Sequence, residues 1–566
     1  MNRVRVAVMS VAALAGTAIV LAGGSAALVG SDSDGDQAGA PGTSSTSSTS
    51  GTSGMSGMEG MEGMSDTAGG PSAHPIQELK DRLARTPSGG TVTVQSGVYQ
   101  GSLVIDRPVT LVGVGHPVIL GDGTGTVLTI RAAGTVVRDL MIEGSGPGPV
   151  DNPAGVSIEA DHVTVKNLHI RDTYTGVWVE GAKDAQISGN DIEGRKTVAV
   201  SGENPALMDH EMAGAVPGRV ASDKTGDKTG GENGGQIGDK ADSMAGMPMG
   251  PADGQARAGR GDGVSLFNAI RPVVSENTIT DVRDGVYLSY GSGTRIERNS
   301  VTGSRYAIHS MYGKSVTVAG NHFSANQSGP VMMYGGPVTL QDNVIREQHS
   351  AATGFGVLLL DVGGARLLRN VIVSNRVGLQ IEGSVGESQP TAVELNTIAL
   401  NQVGVGLYPT ADASLSQNSF VENTVQVLGL GPDGGGGDSR WSRGGVGNYW
   451  SDYRGFDRSG RGVGEIPHVE GAAAGKLLAG DPTLLALASS PAFTLLRTVE
   501  QRTAGQHPVV VDRSPIVSPR SPSLPSQAVR AAPGTGLVGA TSLLVCSYAL
   551  LRLTRRRRLP TQRTRP

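Results

Sequence analysis

Gly285-Val286-Tyr287-Leu288-Ser289-Tyr290 is an alternating run opened by a glycine, and Asn299-Ser300-Val301 follows that glycine by 14 residues. The same two marks return 22 residues later at Ala307 and Asn321, and again at Gly329 and Asn343. Working outward, the pattern Asn-x-(Ile/Val/Phe) begins at Asn190, Asn277, Asn299, Asn321, Asn343, Asn370, Asn396 and Asn418. Three steps of 22 residues give way to steps of 27 and 26, and the last step is again 22. Gly176, Gly263, Gly356 and Gly404 keep the same offset of 14 before their asparagines. Short strands and turns at a fixed period of about 20–25 residues describe a solenoid, in which each coil buries its apolar residues only against its neighbours. Val286, Leu288, Ile308, Val357 and Leu359 then line one continuous core, with coils about 4.8 Å apart. Asparagines stacked at a tight corner can hydrogen-bond the rungs above and below.

An open end of such a rod would leave strand groups unpaired. Pro75 to Leu83 reads as an amphipathic cap helix before a first strand at Thr91 to Val94. The fold class is therefore all-β, a parallel β-helix over residues 76–430, followed by a C-terminal cap and signature region at 431–515. Composition agrees. Gly takes 85 of the 566 residues, which a helical enzyme would not tolerate at about 1 kcal/mol for each interior glycine. A net charge of −4 supplies no basic field for nucleic acid. Cys546 is the only cysteine, so intrachain disulfides and thiolate clusters are excluded, and soft-metal chemistry must use Met or His.

Residues 1–27 have the charged, apolar, small-residue order of a secretory signal, with an uncleaved anchor as the alternative. Residues 28–75 and an insert at 202–260 are polar, rich in Gly and Ser, and expected to be disordered. A Pro-rich linker, 516–534, leads to an apolar stretch at 535–552 and a basic tail at 553–566. That order predicts a transmembrane helix with a cytoplasmic tail and an extracytoplasmic body.

Nine of the 15 methionines lie in the two polar segments, where there is no core to pack. Met55, Met58, Met61 and Met64 recur every third residue; the insert carries Met208, His210, Met212, Met244, Met247 and Met249. Thioethers favour Cu(I), and imidazole is a compatible partner, so these ten residues are candidate copper ligands. On the coils, alternation sends Tyr287, His309, Met311, Met333, Leu358 and Leu360 outward, as an apolar, sulfur-bearing row on a solvent-facing sheet. Three readings stay open for that row: cover by a segment of the same chain, a docking partner, or metal transfer through His309, Met311 and Met333.

Gly447-Asn448-Tyr449-Trp450-Ser451-Asp452-Tyr453 leads into Gly455-Phe456-Asp457-Arg458-Ser459-Gly460-Arg461-Gly462-Val463-Gly464-Glu465. Together with Gly261-Asp262-Gly263-Val264, Val282 to Tyr290, Met311-Tyr312, Met333-Tyr334, Asp481-Pro482 and Val511 to Pro515, this resembles the NosD family over roughly residues 76–515. The resemblance implies a right-handed β-helix of the pectin-lyase type and a periplasmic, non-enzymatic role in maturing nitrous oxide reductase. It also implies copper or copper-sulfur cargo, and as partners the permease and ATPase of an ABC transporter, a copper chaperone and the reductase. The family's acidic calcium-like loop is depleted here, its positions reading Asp457, Ser459 and Arg461. The rival readings are a carbohydrate-active β-helix (polysaccharide lyase or epimerase) and a cell-surface scaffold. Asp281, Arg283, Asp284 and Arg305 are the charges a lyase would use, and the plainer expectation for them is a solvated ladder of opposite signs.

Overall fold

A computed structural model of the chain describes residues 73–523, apart from 149–151, 197–258, 351–352, 384–389, 431–436 and most of 472–507. The leader, all ten Met and His candidates of the polar segments and the apolar stretch at 535–552 lie outside the described residues. Among the described residues no helix is long and apolar enough to cross a membrane.

The chain winds into a parallel β-solenoid of about 13 turns. Each coil gives one strand to each of three parallel sheets, of 14, 12 and 12 strands. The first sheet runs from Ala73–Pro75 to Tyr449–Trp450, the second from Thr91–Val94 to Ala413–Ser416, and the third from Leu103–Ile105 to Val425–Gly429. Register advances by one coil at each step, as in Val286↔Ile308 in the third sheet and Ile296↔Val318 in the second. Val286, Leu288, Ile308, Val357 and Leu359 all sit in one apolar core that runs from Leu79 to Val510. The solenoid extends beyond its expected limits at both ends. Ala73–Pro75 pairs with Val98–Gln100 ahead of the cap helix, and the signature residues Tyr449–Trp450 form the last strand of the first sheet. The helix spans Ile76–Arg85 and buries Leu79 and Leu83.

The asparagines form the expected column. Each Nδ2 donates to the next Oδ1 at 2.8–3.0 Å, from Asn190 through Asn277, Asn299, Asn321, Asn343, Asn370, Asn396 and Asn418. The last of these donates to Asn448, a rung that the 22-residue step does not reach. The same Oδ1 also accepts the backbone N–H of the preceding rung, as from Asn299 to Asn321 at 2.8 Å. The residue just before each asparagine from Asn190 to Asn418 turns the corner in the left-handed conformation, with φ of 59° at Glu276, 53° at Arg298 and 56° at Asp342. A second buried column runs beside it through Ser304, Asn326, Gln348, Asn375, Asn401 and Asn423.

The small residue of each coil sits where neighbouring backbones meet. A Cβ on Gly329 would lie 2.1 Å from the Gly356 carbonyl oxygen, and one on Gly285 would lie 2.5 Å from that of Ala307. Gly329→Ala is therefore expected to cost about 1–3 kcal/mol through overpacking. Gly148→Ala is the control, since nothing stands within 4 Å of its Cβ position. A urea midpoint for Gly329→Ala equal to that of Gly148→Ala would refute the close approach.

Candidate functional site

The outward row lies on the third sheet. Its register places Tyr287, His309, Val331 and Leu358 side by side, and next to them Ser289, Met311, Met333 and Leu360. His309 and Met311 come from the strand Tyr306–Met311, two residues apart and so on one face. Met333 follows one coil later, on Ser328–Met333.

The expectation of a solvent-facing row is corrected at every one of these residues except His309 and Met311. Val331, Met333, Leu358 and Leu360 are buried in a second apolar cluster with Phe355, Val377 and Phe493, and Leu484 packs against it. Residues from the chain's own C-terminal part thus cover the face there, because its branched side chains offer apolar area that must leave water. Tyr287 is buried too, while His309 and Met311 keep partial exposure. The accessible part is edged by aromatic side chains. Tyr290, Tyr312 and Tyr334 stack in a column, with centroids 4.9 and 5.5 Å apart. Their faces are spent on each other, leaving edges rather than platforms for a sugar ring.

Beneath this edge lies an ionic ladder. Arg283 donates two hydrogen bonds to Asp262, both of 3.0 Å, and Arg305 donates two to Asp284, of 3.0 and 2.7 Å. The expected solvated ladder is overturned: the Asp284 side chain is fully buried and that of Asp262 almost so. Asp281 is exposed and stands apart from these pairs. Burial pushes the Asp284 carboxyl up, but the opposing pull of Arg305 and the contact from His309 outweigh it and hold it far below the usual carboxylate range. His309 Nδ1 lies 3.1 Å from Asp284 Oδ2. An ionised carboxylate only accepts, so Nδ1 carries the proton and Nε2 is left as the ligating nitrogen. The imidazole is held between Tyr287 and Tyr306, at 5.2 and 5.1 Å between centroids. The Tyr287 hydroxyl reaches Met311 Sδ at 3.9 Å.

An oriented imidazole beside a thioether, backed by a fixed carboxylate, suits a soft cation such as Cu(I). Both buried carboxylates are clamped by guanidinium groups. Sequence reasoning proposed His309, Met311 and Met333 together; the structure leaves His309 and Met311 partly exposed, buries Met333, and adds Asp284 as the group behind the imidazole. The calcium-like loop is closed on itself. Asp457 accepts from Ser459 Oγ at 3.0 Å, from Arg461 N at 3.2 Å and from Gly462 N at 2.6 Å.

The described residues define a parallel β-solenoid. The family described as periplasmic copper-binding protein (NosD) matches residues 247–455. A probable ABC transporter binding protein NosD from Stutzerimonas stutzeri is 30% identical over 420 residues, covering 72% of this chain and 81% of the relative. Its counterpart from Pseudomonas aeruginosa is 28% identical over 469 residues, covering 79% of this chain and 93% of the relative. The chain belongs to the NosD family. Among solved structures, the A-module of mannuronan C-5 epimerase AlgE6 from Azotobacter vinelandii is similar at 16% identity and a TM-score of 0.45, over 67% of this chain and 95% of that one. That likeness is too loose to carry over any chemistry.

Proposed function

We propose that this protein is an extracytoplasmic accessory factor that hands copper, or a copper-sulfur unit, to nitrous oxide reductase during its maturation. In this reading it works with the permease and ATPase of an ABC transporter and receives copper from a chaperone. The leader at 1–27 carries the body across the membrane, and residues 535–552 anchor it there. The observation that carries the reading is the placing of His309 and Met311 two residues apart on one face of the strand Tyr306–Met311, in the partly exposed part of the third sheet, with Asp284 fixing the imidazole from behind. Family membership supports it independently. The Met-rich segments act as weak collectors, through Met55, Met58, Met61, Met64, Met208, His210, Met212, Met244, Met247 and Met249, and pass Cu(I) to the sheet.

Anaerobic Cu(I) titration against a chromophoric chelator tests this. With residues 28–72 and 202–258 deleted, His309→Ala and Met311→Leu are each expected to weaken binding about tenfold or more, equivalent to about 1.4 kcal/mol. Affinity unchanged in both variants would remove the sheet site. Unchanged stoichiometry on deleting the segments would remove their collecting role.

A further inference from the structure

A different group of ligating side chains, separate from His309 and Met311, sits at the C-terminal end of the rod. His468–Glu470 pairs antiparallel with Val510–Asp512. His468 and Glu470 are two apart on one strand, so both side chains point the same way. Asp452 reaches the same point from the turn after Tyr449–Trp450. One nitrogen of His468 and one carboxylate oxygen from each of Asp452 and Glu470 all lie within 4.8 Å of one another.

Three observations favour a metal over a simple ion pair. First, the His468 side chain is only 6% exposed, and among the described residues nothing hydrogen-bonds its Nε2. Second, Glu470 Oε1 is 3.6 Å from that nitrogen, beyond hydrogen-bond reach. That separation is instead close to the roughly 3.4 Å between neighbouring ligands of a tetrahedral ion with bonds of about 2.0–2.2 Å. Third, the ring cannot turn away. Trp450 stacks on it at 4.4 Å between centroids and 16° between planes, and Tyr453 meets it edge-on at 6.4 Å.

We propose that Asp452, His468 and Glu470 bind one zinc ion, with water completing the shell on the side of the half-buried Asp452. One imidazole and two carboxylates make a borderline-to-hard donor set that suits Zn²⁺ and, lacking any thioether, disfavours Cu(I). The ion pins the strand His468–Glu470 to the turn that follows the last rung of the rod.

The test uses the full chain, stripped with chelator, loaded with zinc sulfate and desalted. One zinc per chain should be retained at this site, and X-ray absorption should report nitrogen and oxygen neighbours without sulfur. Glu470→Gln and Asp452→Asn, both close in shape, should each weaken zinc binding about tenfold or more and abolish the rise in melting temperature on adding zinc. His468→Asn should do the same, and if it fails to fold the two amide variants decide. Wild-type protein that retains no zinc, variants that bind as tightly as wild type, or a sulfur-containing shell would each overturn the site.

Discussion

Asp284→Ala should destabilise the protein by about 3–5 kcal/mol, the usual cost of stranding one member of a buried ion pair. The loss leaves the Arg305 guanidinium, only 15% exposed in its side chain, without its two-pronged acceptor, and it frees His309 to turn. A double variant, Asp284→Leu with Arg305→Met, should recover much of that loss, because an apolar pair of similar bulk removes the stranded charge along with its partner. A double variant no more stable than Asp284→Ala would mean that packing, not charge pairing, is what the site needs. The pH dependence has a definite sign. The folded carboxyl is held below its unfolded value of about 3.9. Its contribution is therefore complete above that pH and is lost as the pH falls below it toward the folded value. The difference in unfolding midpoint between wild type and Asp284→Ala should stay constant from pH 8 to 5 and narrow in stronger acid.

Asn321→Ala is expected to cost about 2–6 kcal/mol, since two buried donors lose their acceptor at about 1–3 kcal/mol each. Those donors are the backbone N–H and the Nδ2 of Asn299, which both reach Asn321 Oδ1, at 2.8 and 3.0 Å. The Ile296 carbonyl also loses the 2.8 Å bond it accepts. Arg298→Ala, in the neighbouring corner position, breaks only exposed ion pairs to Glu276 and Glu297 and should cost less than about 1 kcal/mol. Chemical unfolding followed by circular dichroism compares the two. Equal midpoints would show that the asparagine column adds nothing beyond filling space. Because coils couple mainly to their neighbours, the transition should also broaden in Asn321→Ala, with one half of the rod melting ahead of the other.

The asparagine column was legible because one geometry, repeated, admits one residue at every rung. The column beside it was not. There a glutamine and several asparagines stand in for each other, since either side-chain amide can meet the backbone N–H of the rung before, and the column opens at Ser304, which gives only its backbone N–H. Alternation also failed at a definite place. From Leu358 it puts Phe355 inside, yet Phe355 and Val377 pack in the outer cluster with Leu358. The strand changes face at the small residue Gly285: Asp284 meets the outward His309, although Val286 and Leu288 point into the core at an unbroken register. That change of face puts Asp284 beside His309, which is why the carboxylate read as one charge among several and not as the support of the imidazole. The cover over Met333, Leu358 and Leu360 was one of three open readings. Leu484 and Phe493 lie among other apolar residues, Leu485, Leu487, Leu495 and Leu496, in a segment with no repeat to betray where they land.

The asparagine column has a direction. Every side-chain amide donates toward the C-terminal end of the rod, so the small electric moments of successive rungs add along the axis, and the positive pole falls on Asn448. There the Asp512 carboxylate accepts from the Asn448 backbone N–H at 2.7 Å and from the Trp450 indole at 3.0 Å. The stack thus ends on the Asp512 carboxylate oxygen that accepts these bonds, which passes no side-chain amide on to a further rung. A chain cut short of Val510 would keep its windings and lose that stopper, and its bare pole would be the place for such rods to join end to end.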